Sequence, residues 1–227
     1  MNTADISFAP RKKRSILSRI FLFRGDFLYL WSKRSMDVLL AAAVLMLLWP
    51  FFVLICLIIV VDDPGAGPIF AQTRVGKDGR TFTMYKFRTM VADAEEMLDE
   101  LLPRNEMDGP VFKIRNDPRI TRAGRFLRRS SLDELPQLWN VLRGEMSLVG
   151  PRPPLPREVA QYDARQLRRL SVKPGLTCYW QVSRHRNTLP FDTWVELDLR
   201  YIQERSIPTD WKLILATCRV ILGMEGT

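Results

Sequence analysis

The sequence predicts a mainly helical α+β protein: a re-entrant membrane helix hairpin, then a small cytoplasmic domain with a short β-hairpin and interfacial amphipathic helices. Three observations predict it. Residues 36–61 form a single apolar run, cations flank that run on both sides, and the chain beyond it switches between strand-like and helix-like patterns. The expected organisation is a basic N-terminal interfacial segment over 1–35, a re-entrant membrane helix over 36–61 broken at Pro50, and a cytoplasmic domain over 62–227.

The run MDVLLAAAVLMLLWPFFVLICLIIVV carries one charge, Asp37. It exceeds the ~20 apolar residues that cross a bilayer as a helix. It is too long for a signal-peptide core, and no small-residue cleavage site follows it. Arg11 to Arg14, Arg19, Arg24, Lys33 and Arg34 lie upstream; Arg74, Lys77, Arg80, Lys86 and Arg88 lie downstream. Cations mark the cytoplasmic side, and one straight span cannot put both flanks there. Pro50 removes a backbone hydrogen bond near the middle of the run. A hairpin entering and leaving by the cytoplasmic face satisfies both facts; an ordinary kinked span stays open. Residues 16–34 mix aromatic and basic side chains, as a segment at headgroup level does. Trp211 to Met224 has a similar mix. Either could instead be a core helix.

The formal net charge of +9 over 227 residues attracts nucleic acid, lipid headgroups or phosphorylated small molecules, and does not choose among them. Cys56, Cys178 and Cys218 are far apart and no Cys/His spacing occurs, so neither a zinc site nor a disulfide framework is suggested. His185 is the only histidine, and nothing near it supports a Ser-His-Asp triad.

Beyond the run, IFAQTRV and TFTMYKFRTM read as a β-hairpin over 69–90, turned at Gly76-Lys77-Asp78-Gly79. Residues 92–102 read as an acidic amphipathic helix and 103–118 as loop. A short basic helix follows Thr121, and a second runs from about Asp133 to Arg143. Pro151, Pro153, Pro154 and Pro156 stiffen an extended stretch. An amphipathic helix over 157–170, a turn at Lys173-Pro174-Gly175, and alternating helix and loop from Phe191 complete the chain.

The stretch Arg125–Pro153 is the most unusual, because Asp133 and Glu134 sit among arginines. Pro136 is tolerated only in a first helical turn, which places a helix start close to Asp133. A carboxylate there is held ionised, and phosphate is drawn to the same place. Such an Asp can be a nucleophile or a metal ligand. The competing reading is structural: Ser130 with Asp133, or Ser131 with Glu134, forms a capping box. Either serine cap pushes Pro136 too deep into the helix, whereas an Asp133 cap does not. Arg128, Arg129, Arg143 and Arg152 can balance the acids or meet lipid phosphates. Arg152 is held between two prolines, which aims its planar fork at a phosphate. Lys86 and Arg88 alternate on a strand and share a face, a second anion grip.

Several separate motifs now coincide: the proline-broken run, Lys86-Phe87-Arg88-Thr89-Met90, Ser131-Leu132-Asp133-Glu134-Leu135-Pro136-Gln137, Met146-Ser147-Leu148-Val149-Gly150-Pro151-Arg152-Pro153, and Lys173-Pro174-Gly175-Leu176-Thr177. In this order they closely resemble the bacterial sugar transferase family of monotopic polyprenyl-phosphate hexose-1-phosphate transferases, over about 33–222. The resemblance implies an enzyme of the inner membrane, with its catalytic domain on the cytoplasmic face. It implies Asp133 as nucleophile on the β-phosphate of a UDP-sugar, UMP as leaving group, and polyprenyl phosphate as acceptor of the phospho-sugar. It implies Glu134 as assisting base, Mg²⁺ with Asp133 among its ligands, and glucose or galactose as the sugar. Lys86, Arg88, Arg128 and Arg152 would grip substrate phosphates. The family's Gln-Val-Ser-Gly-Arg-Asn appears here as Gln181-Val182-Ser183-Arg184-His185-Arg186-Asn187. Arg186 is the best match to the family arginine and Arg184 its rival. No nucleic-acid partner is expected; a homodimer is left open. Longer relatives carry a further N-terminal membrane domain, so a minimal version is expected.

Overall fold

The computed structural model describes residues 16–65, 67–114, 116–183 and 188–223. It opens with one 47-residue helix, α1 (Ile16–Asp62). This helix takes in much of the expected interfacial segment and the whole apolar run. Pro50 lies inside it. The expected break is therefore a proline within a continuous helix, without a turn separating two halves. Pro50 lacks only its own N–H, and neighbouring turns of an apolar helix hold through one missing bond.

One face of α1 lies on the rest of the chain. Ala41, Val44 and Leu45 meet Met84, Leu138, Val141 and Met146; Phe52, Ile55, Cys56 and Ile59 meet Phe87 and Leu127. This is the three-to-four-residue spacing of a single stripe. Away from the stripe, Leu39, Met46, Leu47, Trp49, Leu57 and Val61 are exposed. The helix is long and apolar enough to cross a membrane. Polar ties hold both ends of its apolar stretch to the same domain. Upstream, Lys33 Nζ donates to Asp210 Oδ2 at 2.9 Å. Arg34 donates to the carbonyls of Val141 and Leu142, and Asp37 Oδ1 accepts from Leu148 N–H at 3.0 Å. Downstream, Asp62 Oδ2 accepts from Ala123 N–H at 2.9 Å.

The predicted hairpin is present as β1 (Ile69–Val75) and β2 (Thr81–Phe87), antiparallel with Ile69 opposite Phe87. Its turn needs left-handed backbone at Asp78 and Gly79. The acidic helix expected over 92–102 shrinks to α2 (Leu98–Leu101). Residues 92–97 instead form successive turns, with Glu96 N–H bonded to Asp93 O and Leu98 N–H to Glu95 O. Carboxylates three and four apart repel along a helix, which disfavours a longer one.

The basic helix is α3 (Arg122–Arg129), capped by Thr121 Oγ1 on Gly124 N–H. A methyl group at Gly124 would stand 2.1 Å from the Thr89 carbonyl, so only glycine lets α3 settle on the chain leaving β2. The next helix, α4 (Gln137–Arg143), starts later than the expected Asp133, because Leu132–Glu134 form their own 3-10 turn. The fully buried Asn140 side chain joins α4 to β2, accepting from Tyr85 N–H and donating to Thr83 O.

A second sheet was not expected. β3 (Ser147–Val149) and β4 (Gly175–Thr177) run parallel, Ser147 opposite Gly175. Three-residue strands this far apart leave no period to read. The helix expected over 157–170 is divided into α5 (Pro156–Val159), α6 (Ala164–Leu167) and a 3-10 turn over Arg168–Ser171. Asp163 restarts the helix by capping Gln166 N–H at 2.7 Å, and Arg169 then turns inward to Asp198. Last come α7 (Phe191–Glu204) and α8 (Ile207–Leu222). Cys178, Trp180, Phe191, Trp194, Val195 and Leu199 form the core beneath α7.

The parallel pair allows a direct test. A methyl group on Gly175 would lie 2.1 Å from Gly150 N, and backbone cannot yield as a side-chain tip can. Gly175→Ala is expected to destabilise by about 1–3 kcal/mol, read as a lower melting temperature of the full chain in detergent. An unchanged melt would mean that β3 and β4 separate without loss.

Candidate active site

A cleft of about 1500 Å³ opens between the β-hairpin, the acidic turns, the 106–119 loop, the Ser131–Glu134 turn and the start of α7. Asp133 and Glu134 line it, together with Lys86, Arg88, Arg128 and Arg152.

Ser131 sets the position of the acids. Its φ of 56° lies in the left-handed region, which a non-glycine residue enters only where its surroundings force it. This reversal ends α3 and throws Leu132–Glu134 into a tight turn at the cleft. It also removes the capping reading that the sequence left open. Ser130 Oγ bonds back to the carbonyls of Phe126 and Leu127. Ser131 makes no side-chain cap, and the residue that opens α4 is Pro136, which has none to make.

The two acids sit in unequal settings. Asp133 is 8% exposed. Glu134 Oε1 holds Lys86 Nζ at 2.8 Å, whereas Asp133 Oδ2 is 3.9 Å from the same ammonium. Burial pushes the Asp133 carboxyl above its ordinary range; Lys86 opposes this, Glu134 adds to it, and Arg128 and Arg152 oppose it. The result is a carboxylate shielded from water, beside cations, and not consumed by a short ion pair.

Arg128 is held by its Nε–H to Thr89 Oγ1 at 2.9 Å, and burial lowers its guanidinium from its ordinary value. Arg88 lies on the cleft wall but is turned aside: its Nε–H donates to Gly67 O at 2.8 Å and it covers the Phe70 ring. It falls one residue beyond β2, so strand alternation does not carry it beside Lys86. Arg186, with Arg184 and His185, lies outside the described residues. The structure thus gathers Asp133, Glu134, Lys86, Arg128 and Arg152, with Arg88 at the margin.

Sequence reasoning missed two supporting arginines. Arg74, 7% exposed, donates to the Pro153 carbonyl at 3.0 Å and so braces the stretch that aims Arg152. Burial, with help from Arg152, pulls its guanidinium down to about 10. Its alternation with Gln72 on β1 was the available signal. Arg119 pairs with Asp117 at 2.6 Å on the cleft wall. Against burial, which acts the other way, Arg119 holds the Asp117 carboxyl below its usual range. This pair is joined across one residue in a loop, where no periodicity marks it.

Among the described residues no group of three or more His, Cys, Asp or Glu could hold a metal. The carboxylates at the cleft floor suit the other mode of binding. Mg²⁺ commonly takes one or two carboxylates and completes its shell with substrate phosphates and water. Asp133 fits such a shared ion, not an all-protein cage, while Glu134 is engaged by Lys86 Nζ at 2.8 Å.

The sequence profile of the bacterial sugar transferases matches residues 28–224, a span that includes most of α1, the cleft and both sheets. The chain belongs to the bacterial sugar transferase family. Within this family, galactosyl transferase CpsE of Streptococcus agalactiae serotype III (strain NEM316) is 48% identical over 198 residues, 87% of this chain and 44% of CpsE. The undecaprenyl-phosphate galactose phosphotransferase of Salmonella typhimurium (strain LT2) is 40% identical over 198 residues, 86% of this chain and 41% of its own. The exopolysaccharide production protein ExoY of Rhizobium meliloti (strain 1021) is 40% identical over 200 residues and is covered over 88% of its length. The chain therefore spans less than half of the first two relatives and most of the third.

Proposed function

We propose that the chain transfers a hexose 1-phosphate from a UDP-sugar to polyprenyl (undecaprenyl) phosphate and releases UMP, as the first membrane step of exopolysaccharide or O-antigen synthesis. The observation that carries this reading is Asp133: buried, not used as a helix cap, and set among Lys86, Arg128 and Arg152 beneath a membrane helix. The relatives' names, which include an undecaprenyl-phosphate galactose phosphotransferase, support the substrate class.

In the first step an Asp133 carboxylate oxygen forms a bond to the β-phosphorus of the UDP-sugar. The bond from that phosphorus to the bridging oxygen breaks, and UMP departs with the electron pair. A carboxylate nucleophile divides the transfer in two. In the second step an oxygen of polyprenyl phosphate attacks the same phosphorus and frees Asp133. Lys86, Arg128 and Arg152 stabilise negative charge on the phosphoryl oxygens in both steps. Glu134 assists as base toward the acceptor, its carboxylate oriented by Lys86. Asp133 is the residue that would hold a Mg²⁺; when bound, the ion would neutralise phosphate charge.

Both ends of the apolar stretch of α1 hold to one domain. This supports a re-entrant helix at the inner membrane, with the cleft on the cytoplasmic face, where a soluble nucleotide-sugar meets a lipid phosphate. The deciding experiment supplies polyprenyl phosphate and several UDP-sugars, then identifies the nucleotide released. UMP is expected. Release of UDP would mean transfer of the sugar alone and would overturn the reading.

A further inference from the structure

The arginines of α3 divide into two sets. Arg128 turns into the cleft. Arg122, Arg125 and Arg129 are exposed, together with Phe126 at 57%. Their spacing of three, four and seven places them on one face. None of the three forms a salt bridge among the described residues. The inward face is fixed by Leu127 against Ile55 and Ile59, and by Gly124 against Thr89. Ala123 N–H is bonded to Asp62 at the end of α1. The basic face therefore lies alongside the last turns of the membrane helix, whose outward residues Leu57, Val60 and Val61 are exposed.

We infer that Arg122, Arg125, Phe126 and Arg129 form a docking surface for the anionic phospholipid headgroups of the bilayer that receives α1. Two arguments carry this. Unpaired guanidinium groups complement a negatively charged surface, and a lone exposed aromatic among them suits the headgroup level. The surface also continues the lipid-facing side of α1. The consequence is positional: α3 leads directly into Ser131 and Asp133, so seating α3 on headgroups sets the depth of the cleft at the membrane. The inference rests on the reading of α1 as a membrane helix.

The test uses the full chain in nanodiscs, one set of phosphatidylcholine alone, the other with phosphatidylglycerol at one third of the lipid. Hydrogen exchange is read over 122–129. Exchange there is expected to slow several-fold in the anionic discs, since each basic residue near such a surface favours the bound state by roughly fivefold. High salt should erase the difference. The R122E/R125E/R129E variant should lose it while R122K/R125K/R129K keeps most of it, each with a wild-type melting temperature in detergent. Equal exchange in both discs would overturn the inference, as would a difference that survives charge reversal. Protection gained only when polyprenyl phosphate is added to neutral discs would also overturn it, by assigning the face to the acceptor. Failure of the protein to enter discs at all would count instead against the membrane reading of α1.

Discussion

Asp133→Asn is expected to abolish turnover, by on the order of 10⁴-fold or more, with almost no change in melting temperature. The amide keeps the shape of the carboxylate but cannot form the bond to phosphorus. The structure gives no reason for a loss of stability. Neither Ser130 nor Ser131 depends on Asp133 for a cap, and the short ion pair with Lys86 belongs to Glu134. Burial already raises the Asp133 carboxyl, so a neutral side chain is well accepted there. Activity with the released nucleotide as readout, and thermal melting of the same preparation, check the two halves together. Retained turnover would remove Asp133 as nucleophile. A large fall in melting temperature would return it to a structural role. Glu134→Gln is expected to lose less, about 10²-fold, as an assisting base does.

Arg169→Met is expected to destabilise the protein by about 3–5 kcal/mol, because it strands a buried carboxylate. Arg169 and Asp198 are 4% and 0% exposed. Arg169 Nη2 and Nε reach Asp198 Oδ2 at 2.6 and 2.8 Å, and Nη1–H donates to the Tyr162 hydroxyl at 2.8 Å. The guanidinium also covers the Phe191 ring. Removing it leaves Asp198 charged and unpaired beneath α7. For a chain of this size the melting temperature should fall by roughly 6–20 °C. Arg169→Met combined with Asp198→Leu should recover much of the loss, since the penalty comes from the stranded charge. Arg165→Met, at the exposed pair with Asp192, should leave the melt in place. If the single and double variants melt alike, the pair does not hold α7 down.

What the sequence made legible was local. The hairpin, the basic helix after Thr121 and the apolar run are each written in a continuous pattern, and each is present. The acids stand out because they sit among arginines; Pro136 weakens the capping alternative and the family resemblance assigns the roles, although the helix starts at Gln137 and not at Asp133. What stayed hidden depends on distant partners. The β3–β4 pairing joins residues 147 and 175 through two tripeptides. The positive φ of Ser131 leaves no mark in the sequence pattern, so a capping box is the simpler reading of Ser-Ser-Leu-Asp-Glu. Arg74 and Arg119 act by bracing other groups, and a supporting contact leaves no spacing to read. The continuity of α1 through Pro50 is hidden for a related reason: proline reads as a breaker, whereas the stripe of contacts on both sides of it belongs to partners distant in sequence.

That stripe has a practical consequence. Ala41, Ile55 and Ile59 are buried like the core residues of the cleft domain, and Asp210, fully enclosed, depends on Lys33 and Tyr29 from the same helix. The apolar helix is thus also a wall of the domain. Excising it would open Met84, Val141 and Phe87 to water and leave Asp210 short of its cation. The helix α1 therefore cannot be traded as a cassette for an unrelated apolar helix. Substitutions on its buried stripe are constrained by the domain they touch, and only its exposed side is free to drift.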